Sequence, residues 1–269
     1  MLPIQSPGRK QTASNEDFIR LWDNIDKIVS LDQIECLVAE AVMEIRSTVR
    51  DGKVGYAWSG GKDSVALQVV CELAGIDQSV IGLSHEIEYP HYLRWININK
   101  PSGCVVWDAN IGYEYLISHP YMVFPENSAY MAKWYALIQH KAQSDFYNDS
   151  GLNIILLGRR TQDGNYTGGR GQKIYTDKNG VTRYSPIAQW KHEHVLGACH
   201  YFKKRNLPPI YSDPEGWING TGVWPVQTSS KGKEHSWELL YQISPETLHK
   251  AAHYLPEALQ ILEKHGKTN

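Results

Sequence analysis

The sequence predicts an α/β protein: a Rossmann-like parallel sheet flanked by helices, with a helical N-terminal lead-in and a C-terminal extension of loops and helices. Short apolar runs alternate with segments that have the helical apolar period. Within the run 153–158, residues 154–157 are continuously apolar, as expected of a buried parallel strand. We therefore expect three parts, namely a helical N-terminal extension at 1–52, an α/β domain at 53–210 and a C-terminal extension at 211–269.

The N-terminal lead-in is predicted from capping signals and an apolar stripe. Helical patterning begins near Asn15, and Ser30 with Gln33 forms a capping box before a second helix. One face of that helix is apolar, and it carries Ile34, Leu37, Val38, Ala41, Ile45 and Val49. The first predicted strand, 53–58, follows this helix.

The later elements alternate as a parallel sheet requires. The predicted strands after the first are 79–85, 104–107 and 153–158, and residues 172–185 read as a β-hairpin. Predicted helices end near Ala74, open at Tyr89-Pro90, and span 127–148 and about 191–206. Ser244 and Pro245 start a last helical region that Pro256 kinks or splits.

Composition bounds the class of protein. With 269 residues, 42% of them hydrophobic, the chain can bury a sizeable core. The formal charge of −2 excludes an overall positive charge that would attract nucleic acid, but it does not exclude a local basic patch. Nine Trp and sixteen Tyr against four Phe suit core edges or base-stacking surfaces. No apolar run is long enough to span a bilayer, so we expect a cytoplasmic protein without a membrane partner.

The four cysteines form no CxxC pair, which favours a reducing compartment. We interpret all four as small core hydrophobes rather than nucleophiles; they are Cys36, Cys71, Cys104 and Cys199. The histidines His192, His194 and His200 lack metal-ligand spacing, and a plain helix is the favoured interpretation.

The segment Ser59-Gly60-Gly61-Lys62-Asp63-Ser64 is the main candidate site. It lies between a predicted strand and a predicted helix, where backbone N–H groups and the positive end of the helix favour an anion, most often phosphate. Two glycines let the backbone approach that anion closely. Ser59 and Ser64 add hydroxyls and Lys62 adds charge. Asp63, expected on an exposed turn, could hold a Mg²⁺ ion that the phosphates share.

This segment is not a Walker A loop, because Asp63 follows the lysine and the glycine spacing differs. It resembles the SGGxDS signature of the PP-loop ATP pyrophosphatases. Further segments resemble the phosphoadenosine-phosphosulfate (PAPS) reductase group within that superfamily, which includes the small subunit of ATP sulfurylase, FAD synthetase and DNA-phosphorothioation proteins. They are Glu88-Tyr89-Pro90, Gly158-Arg159-Arg160, 184–190 with Glu193 and Val195, and Asn206-Leu207-Pro208 with Tyr211. The resemblance covers about 53–213.

The resemblance implies nucleotidyl transfer: ATP is cleaved between its α and β phosphates, giving AMP or an adenylated acceptor and pyrophosphate. The implied cofactors are ATP and Mg²⁺, with Asp63 as the metal ligand. Arg159 or Arg160 would neutralise charge at the α-phosphate or bind an anionic acceptor. The implied catalytic residues are Lys62, Asp63, Arg159 and Arg160. The implied nucleotide-binding residues are Ala57, Trp58, Ser59, Gly60, Gly61, Lys62, Asp63, Ser64, Leu83 and Gly158.

Departures from the group keep alternatives open. The C-terminal E-C-G-x-H of PAPS reductases is absent, His85-Glu86-Ile87 replaces an Asp-Thr-Gly, and no iron–sulfur cluster is expected. One alternative is a PAPS- or APS-type reductase or sulfurtransferase that uses a partner's thiol. Another is a non-catalytic nucleotide-binding subunit of a nucleic-acid modification complex. The acceptor, a nucleic-acid or protein partner, and a homodimer all remain open. The stretch 161–171 is Gly-rich and basic, and the segment 168–173 suits a phosphate-backbone contact, a lid or a disordered loop.

Overall fold

The computed structural model describes residues 13–50, 52–164, 172–221, 224–226 and 231–266. Within them the predicted α/β class is confirmed by a six-stranded, mostly parallel sheet with helices around it. The strands are β1 (Val54–Ala57), β2 (Ser79–Leu83), β3 (Cys104–Asp108), β4 (Ile154–Leu156), β5 (Ile174–Thr176) and β6 (Thr182–Tyr184).

The sheet has the strand order β3-β2-β1-β4-β6-β5. Strand β1 pairs in parallel with β2 and β4, and β6 pairs in parallel with β4. Strand β5 pairs antiparallel with its hairpin partner β6, which agrees with the predicted hairpin at 172–185. Strand β1 therefore lies inside the sheet, and the segment that follows it leaves from the carboxyl edge, where ligands of such sheets bind.

The helices before the hairpin are α1 (Asn15–Asp23), α2 (Ile25–Ile28), α3 (Leu31–Thr48), α4 (Lys62–Ala74), α5 (Pro90–Asn99), α6 (Tyr113–Ser118), α7 (Ser128–Tyr135) and α8 (Lys141–Ser150). Those after it are α9 (His192–Lys203), α10 (Gly216–Asn219), α11 (Lys233–Ile243), α12 (Pro245–Ala252) and α13 (Pro256–Gly266). The expected split at Pro256 is therefore found.

The predicted capping box is present: Ser30 Oγ accepts from the amide of Gln33, whose side chain accepts from the amide of Ser30. Behind it, α3 buries the predicted stripe, including Ile34, Val38 and Ile45. Helix α3 packs on α4 and α9. The approach to α9 is close, because a Cβ on Gly197 would lie 2.7 Å from the side chain of Ile34. The lead-in thus supports the helix that follows the candidate loop.

Two sequence interpretations differ from the structure. The long helix predicted at 127–148 is interrupted by a π-helical turn at 136–140 between α7 and α8. The local apolar pattern does not distinguish such a turn from a regular helix. The sequence predicts Cys36 as a core residue, yet it is exposed. It sits beside the α3 stripe, off the buried face.

Contacts divide the chain into two compact units. The first contains 1–81, 100–105 and 143–208, and the second contains 82–99, 106–142 and 209–269. The three-part division expected from the sequence stays a prediction. Among the described residues, no helix has the length and apolar character needed to cross a bilayer.

Candidate functional site

The loop between β1 and α4 has the backbone that an anion site needs. Gly60 has φ of +68°, in the left-handed region that glycine tolerates best. Gly61 is the N-cap of α4, a helix of 13 residues that starts at Lys62. The first amides of a helix have no partner within it, and they carry the positive end of its dipole. The strand, tight turn and helix predicted for this segment are therefore present.

The two loop serines fix the shape of the turn. Ser64 Oγ accepts from the amide of Ser59 at 3.0 Å and donates to the carbonyl of Gly61 at 2.9 Å. The hydroxyls of Ser59 and Ser64 lie 3.2 Å apart, and Ser59 Oγ also accepts from the amide of Gly61. The hydroxyl hydrogen of Ser64 is thus bonded to a carbonyl of the loop itself. Its first role in this arrangement is to preorganise the turn.

Gly158 brings the end of β4 against the same turn. A Cβ at this position would lie 3.1 Å from the carbonyl oxygen of Asp63 and 3.4 Å from the amide nitrogen of Ser64. Such contacts are tighter than side chains normally accept. A glycine at 158 therefore allows close backbone approach between this segment and the start of α4.

Arg160 lies completely buried behind the loop. Its Nε donates to Asp63 Oδ1 at 2.6 Å, and its Nη1 donates to the carbonyl of Trp190 at 3.0 Å. Its Nη2 donates to Asp163 Oδ1 at 2.9 Å and lies 3.1 Å from Nδ1 of His192. Because a guanidinium only donates, His192 Nδ1 must be the acceptor.

Lys62 completes a buried ionic cluster with these groups. Its Nζ lies 2.6 Å from Asp63 Oδ2 and 3.9 Å from Asp163 Oδ1, and its side chain is 3% exposed. Two cations, Lys62 and Arg160, therefore face two carboxylates, Asp63 and Asp163. The ammonium also lies 5.9 Å from the ring of Phe18 in α1. A charge-balanced set of this kind is held together by its own pairing, since each buried charge alone would be costly.

Comparison with known proteins adds three structures. A PAPS reductase from Candida auris matches with 13% identity and a TM-score of 0.46, over 67% of this chain and 89% of that one. An FMN adenylyltransferase from Candida glabrata, solved with FMN and an ATP analogue, matches with 14% identity and a TM-score of 0.42, over 70% and 65%. The tRNA thiolase NcsA from Methanococcus maripaludis, solved with its [4Fe-4S] cluster, matches with 15% identity and a TM-score of 0.44, over 85% and 80%.

All three are PP-loop ATP pyrophosphatase family members. At these identities and TM-scores no residue role rests on the likeness. No protein-family model and no curated protein matches the sequence.

The other predicted binding residues lie at strand ends. Ala57 ends β1, and the buried Trp58 follows it, with its indole donating to Gln68 Oε1 at 3.0 Å. Gln68 in turn donates to Glu72, which pairs with Lys203. The buried Leu83 ends β2 and belongs to the second unit. Arg159 is half-buried beside Gly158. The roles assigned to these residues stay predictions.

Asp63 differs from its expected setting. It lies in the first turn of α4 with its side chain 27% exposed, and its two oxygens contact Arg160 and Lys62. One carboxylate already bonded to two cations does not fit a resident Mg²⁺ site. Among the described residues no group of three His, Cys, Asp or Glu could hold a metal ion. Magnesium stays a prediction, as an ion that arrives with phosphate oxygens as ligands.

Sequence reasoning missed three residues of this cluster: Phe18, Asp163 and His192. Asp163 lies three positions after Arg160 in a short 3-10 turn, a spacing that could have suggested an ion pair. His192 packs edge-on against Phe18, 4.9 Å between ring centroids, and nothing local in the sequence indicates this. Of the Gly-rich segment 161–171, residues 165–171 lie outside the described part of the chain.

A separate cavity of about 370 Å³ lies in the second unit. Trp237, Ile261, Lys233 and Lys264 are among its lining residues. None of the predicted nucleotide-binding or catalytic residues lines this cavity.

Proposed function

We propose that the chain binds ATP at the loop 58–64, cleaves it between the α and β phosphates, and transfers AMP to an acceptor. The observation that supports this most is the conformation of the loop. Gly60 is left-handed, Gly61 is the N-cap of α4, and the two serines close the turn, so the first amides of α4 follow this loop directly. Backbone amides at the start of a helix favour a phosphate group.

The ionic cluster holds the start of α4, and with it the loop, in one position. Lys62 and Asp63 are the first two residues of α4, and Arg160 joins them to the end of β4. Groups that stabilise the charge of a transition state are most effective when they are already in place before that charge develops. We therefore assign Arg160 as a positioning residue, which acts through Asp63.

The half-buried Arg159 is the better candidate for contact with the reacting phosphate. Its neighbour Arg160 uses its guanidinium on four interior partners, whereas Arg159 follows Gly158 at the carboxyl edge of the sheet. In the reaction, the acceptor's nucleophile bonds to the α-phosphorus, the bond from that phosphorus to the bridging oxygen breaks, and pyrophosphate leaves with the electron pair. Positive charge near the α-phosphate favours this step.

A reductase that uses its own thiol is less consistent with the structure. Cys199 and Cys71 are fully buried, and burial raises the pKa of each thiol well above its ordinary value. A nucleophilic thiolate needs an exposed, electropositive setting. A thiol supplied by a partner stays open.

The experiment is a product analysis. The purified chain is incubated with ATP and Mg²⁺, with water alone or with sulfate, FMN, acetate or a single-stranded RNA as acceptor, and the nucleotides are separated by chromatography. We expect AMP, or an adenylated product, and pyrophosphate in equal amounts. ADP and inorganic phosphate as the products would overturn the proposal.

A further inference from the structure

Helix α3 has an outward face that the described residues leave exposed. Met43 on this face is 62% exposed, and Cys36 and Ala39 are exposed as well. Two exposed charged residues, Asp32 and Arg46, extend the set, whose members are four, three, four and three positions apart along the chain. Residues at this spacing form one stripe along a helix, as in the seam of a coiled coil. One side of α3 is therefore buried in the core, and the opposite side carries a second stripe that faces outward.

The middle of this outer stripe is apolar, and its two ends carry opposite charges. Asp32 and Arg46 each lie seven residues from Ala39, one on the N-terminal side and one on the C-terminal side. Cys36 and Met43 lie between them, and Ala39 at the centre is small enough for close approach of another helix. A stripe of this kind is complementary to a second copy of itself that runs in the opposite direction. In two copies that run in the same direction, like charges would meet.

The neighbouring charged residues agree with this polarity. Glu44, in the C-terminal part of α3, is paired with Lys173 at 2.5 Å, so its charge does not offset the positive end. Nη2 of Arg46 donates to the carbonyl of Leu73 at 2.7 Å, and this side chain is 48% exposed at Leu73. A guanidinium has five N–H donors, so this bond leaves donors of Arg46 for a carboxylate. Glu35, at the edge of the stripe, remains open to solvent and screening by salt.

We propose that α3 packs antiparallel against α3 of a second copy of this chain, around a two-fold axis at Ala39. Asp32 then faces the partner's Arg46 at both ends of the contact, and the apolar residues pack together between these ends. A contact centred on one pair of helices is smaller than the standard interface of about 1,600 Å². The dimer is therefore weak and forms as the concentration rises, and Cys36 stays accessible in the dilute protein. The proposal does not depend on the nucleotide site.

The first test measures the mass of the full chain by sedimentation equilibrium in reducing buffer at a series of concentrations. We expect wild type to move from 30.6 kDa towards twice that mass as the concentration rises. Met43→Glu places a charge in the apolar middle of the contact and should weaken association at least about tenfold. Leu259→Glu makes the same kind of change at a residue of α13 that is 46% exposed, and it should associate as wild type does. Urea denaturation establishes that both variants are folded.

The second test examines the charges at the ends of the stripe by exchanging them. Asp32→Arg should weaken association, because two positive groups then face each other at each end. The double variant Asp32→Arg with Arg46→Asp should regain association, because opposite charges face each other again. A folded double variant that associates no better than Asp32→Arg alone would overturn the proposed pairing of these ends.

The third test reports the direction of the helices. Ala39→Cys in a Cys36→Ser background places one new thiol on the proposed axis, where the two copies of position 39 lie opposite each other. A disulfide forms when the two Cα atoms are about 4.4–6.8 Å apart. Oxidation with diamide should therefore link this variant rapidly into a dimer on a non-reducing gel. Leu259→Cys in the same background is the control and should link much more slowly.

The outcomes decide the proposal. A wild-type chain that stays monomeric at every concentration overturns it. A dimer that Met43→Glu and Leu259→Glu weaken equally also overturns it, because the contact then does not involve α3 specifically. If wild type dimerises but Ala39→Cys links no faster than Leu259→Cys, the antiparallel contact at Ala39 is wrong.

Discussion

Nε of Arg160 lies 2.6 Å from Oδ1 of Asp63, a contact between residues 97 positions apart in the chain. It joins the segment that follows β4 to the first turn of α4. Arg160 is completely buried, whereas Asp63 keeps about a quarter of its side chain exposed. The second oxygen of this carboxylate, Oδ2, lies 2.6 Å from Nζ of Lys62 in the candidate loop, so changes at Arg160 should reach the site through Asp63.

We expect Arg160→Met to destabilise the protein strongly. The change leaves Asp63 and Asp163 without their shared cation, and removal of one partner from a buried ion pair costs about 3–5 kcal/mol. Arg159→Met is the control, because Arg159 is only half-buried and a change there should cost less than about 1 kcal/mol. Urea denaturation of both variants measures the difference. Equal stability of the two would contradict the buried network.

Asp63→Asn tests the same contact from the other side. On an exposed turn this change would leave the fold unaffected. Since the carboxylate contacts both Lys62 and Arg160, we expect a measurable loss of unfolding free energy, about 1–3 kcal/mol. A double-mutant cycle with Arg160→Met should show coupling, because each change removes the other's partner. Strict additivity of the two changes would mean that the contact contributes nothing.

The parts of the site that sequence predicted are the local ones. The strand, the turn and the helix around Ser59–Ser64, and the capping box at Ser30, depend on residues within a few positions of one another. The direction of the Arg160 side chain depends on where β4 ends relative to α4, which no local pattern encodes. The sequence therefore places Arg160 at a strand end and leaves its burial undetermined.

Cys36 illustrates a finer limit. Cys36 lies on α3 two residues after the buried Ile34 and two before the buried Val38. Residues two apart on a helix point to different faces, so a residue within an apolar stretch can still be exposed. The π-helical turn at 136–140 is not predicted either, because its i→i+5 hydrogen bonds are not marked by any residue type in the sequence.

Gly60→Ala should weaken nucleotide binding. The left-handed backbone at Gly60 strains any residue with a Cβ, by about 1–2 kcal/mol, and the loop can relax only by moving its amides. Gly75→Ala is the matched control at the other end of α4. Gly75 has φ of +87° and open space where the alanine methyl group would lie. Gly75→Ala therefore introduces the same kind of backbone strain at a position outside the candidate phosphate loop. We expect ATP affinity, measured by calorimetry, to fall at least tenfold only in Gly60→Ala.

If Gly75→Ala lost affinity to the same extent, general destabilisation would explain the effect. Full affinity in Gly60→Ala would remove the loop amides from the proposed phosphate site. Urea denaturation of both variants shows whether their stabilities are comparable, so that the affinities can be compared directly.

Thiol reactivity should follow burial. The exposed Cys36 should react with Ellman's reagent quickly in the native protein. Cys71 and Cys199 should react only after unfolding, because both are buried and burial raises the pKa of each thiol. The half-buried Cys104, whose pKa burial also raises, should react slowly. Cys36→Ser should remove the fast phase and serves as the control. A fast phase that survives in Cys36→Ser would contradict the burial of the other three.

Glu88 should make stability depend on pH in a predictable direction. Burial raises the pKa of its carboxyl from 4.5 to about 8, so between these values the native protein holds a proton that the unfolded chain has lost. Wild type therefore loses stability as pH rises through this window, by up to a few kcal/mol at about 1.4 kcal/mol per unit. Glu88→Gln keeps the shape without the titration. We expect it to be more stable than wild type at pH 8, with the gap narrowing towards pH 4.5 and constant below. Urea denaturation at several pH values measures this gap, and a gap independent of pH would show that the native state does not raise the pKa of Glu88.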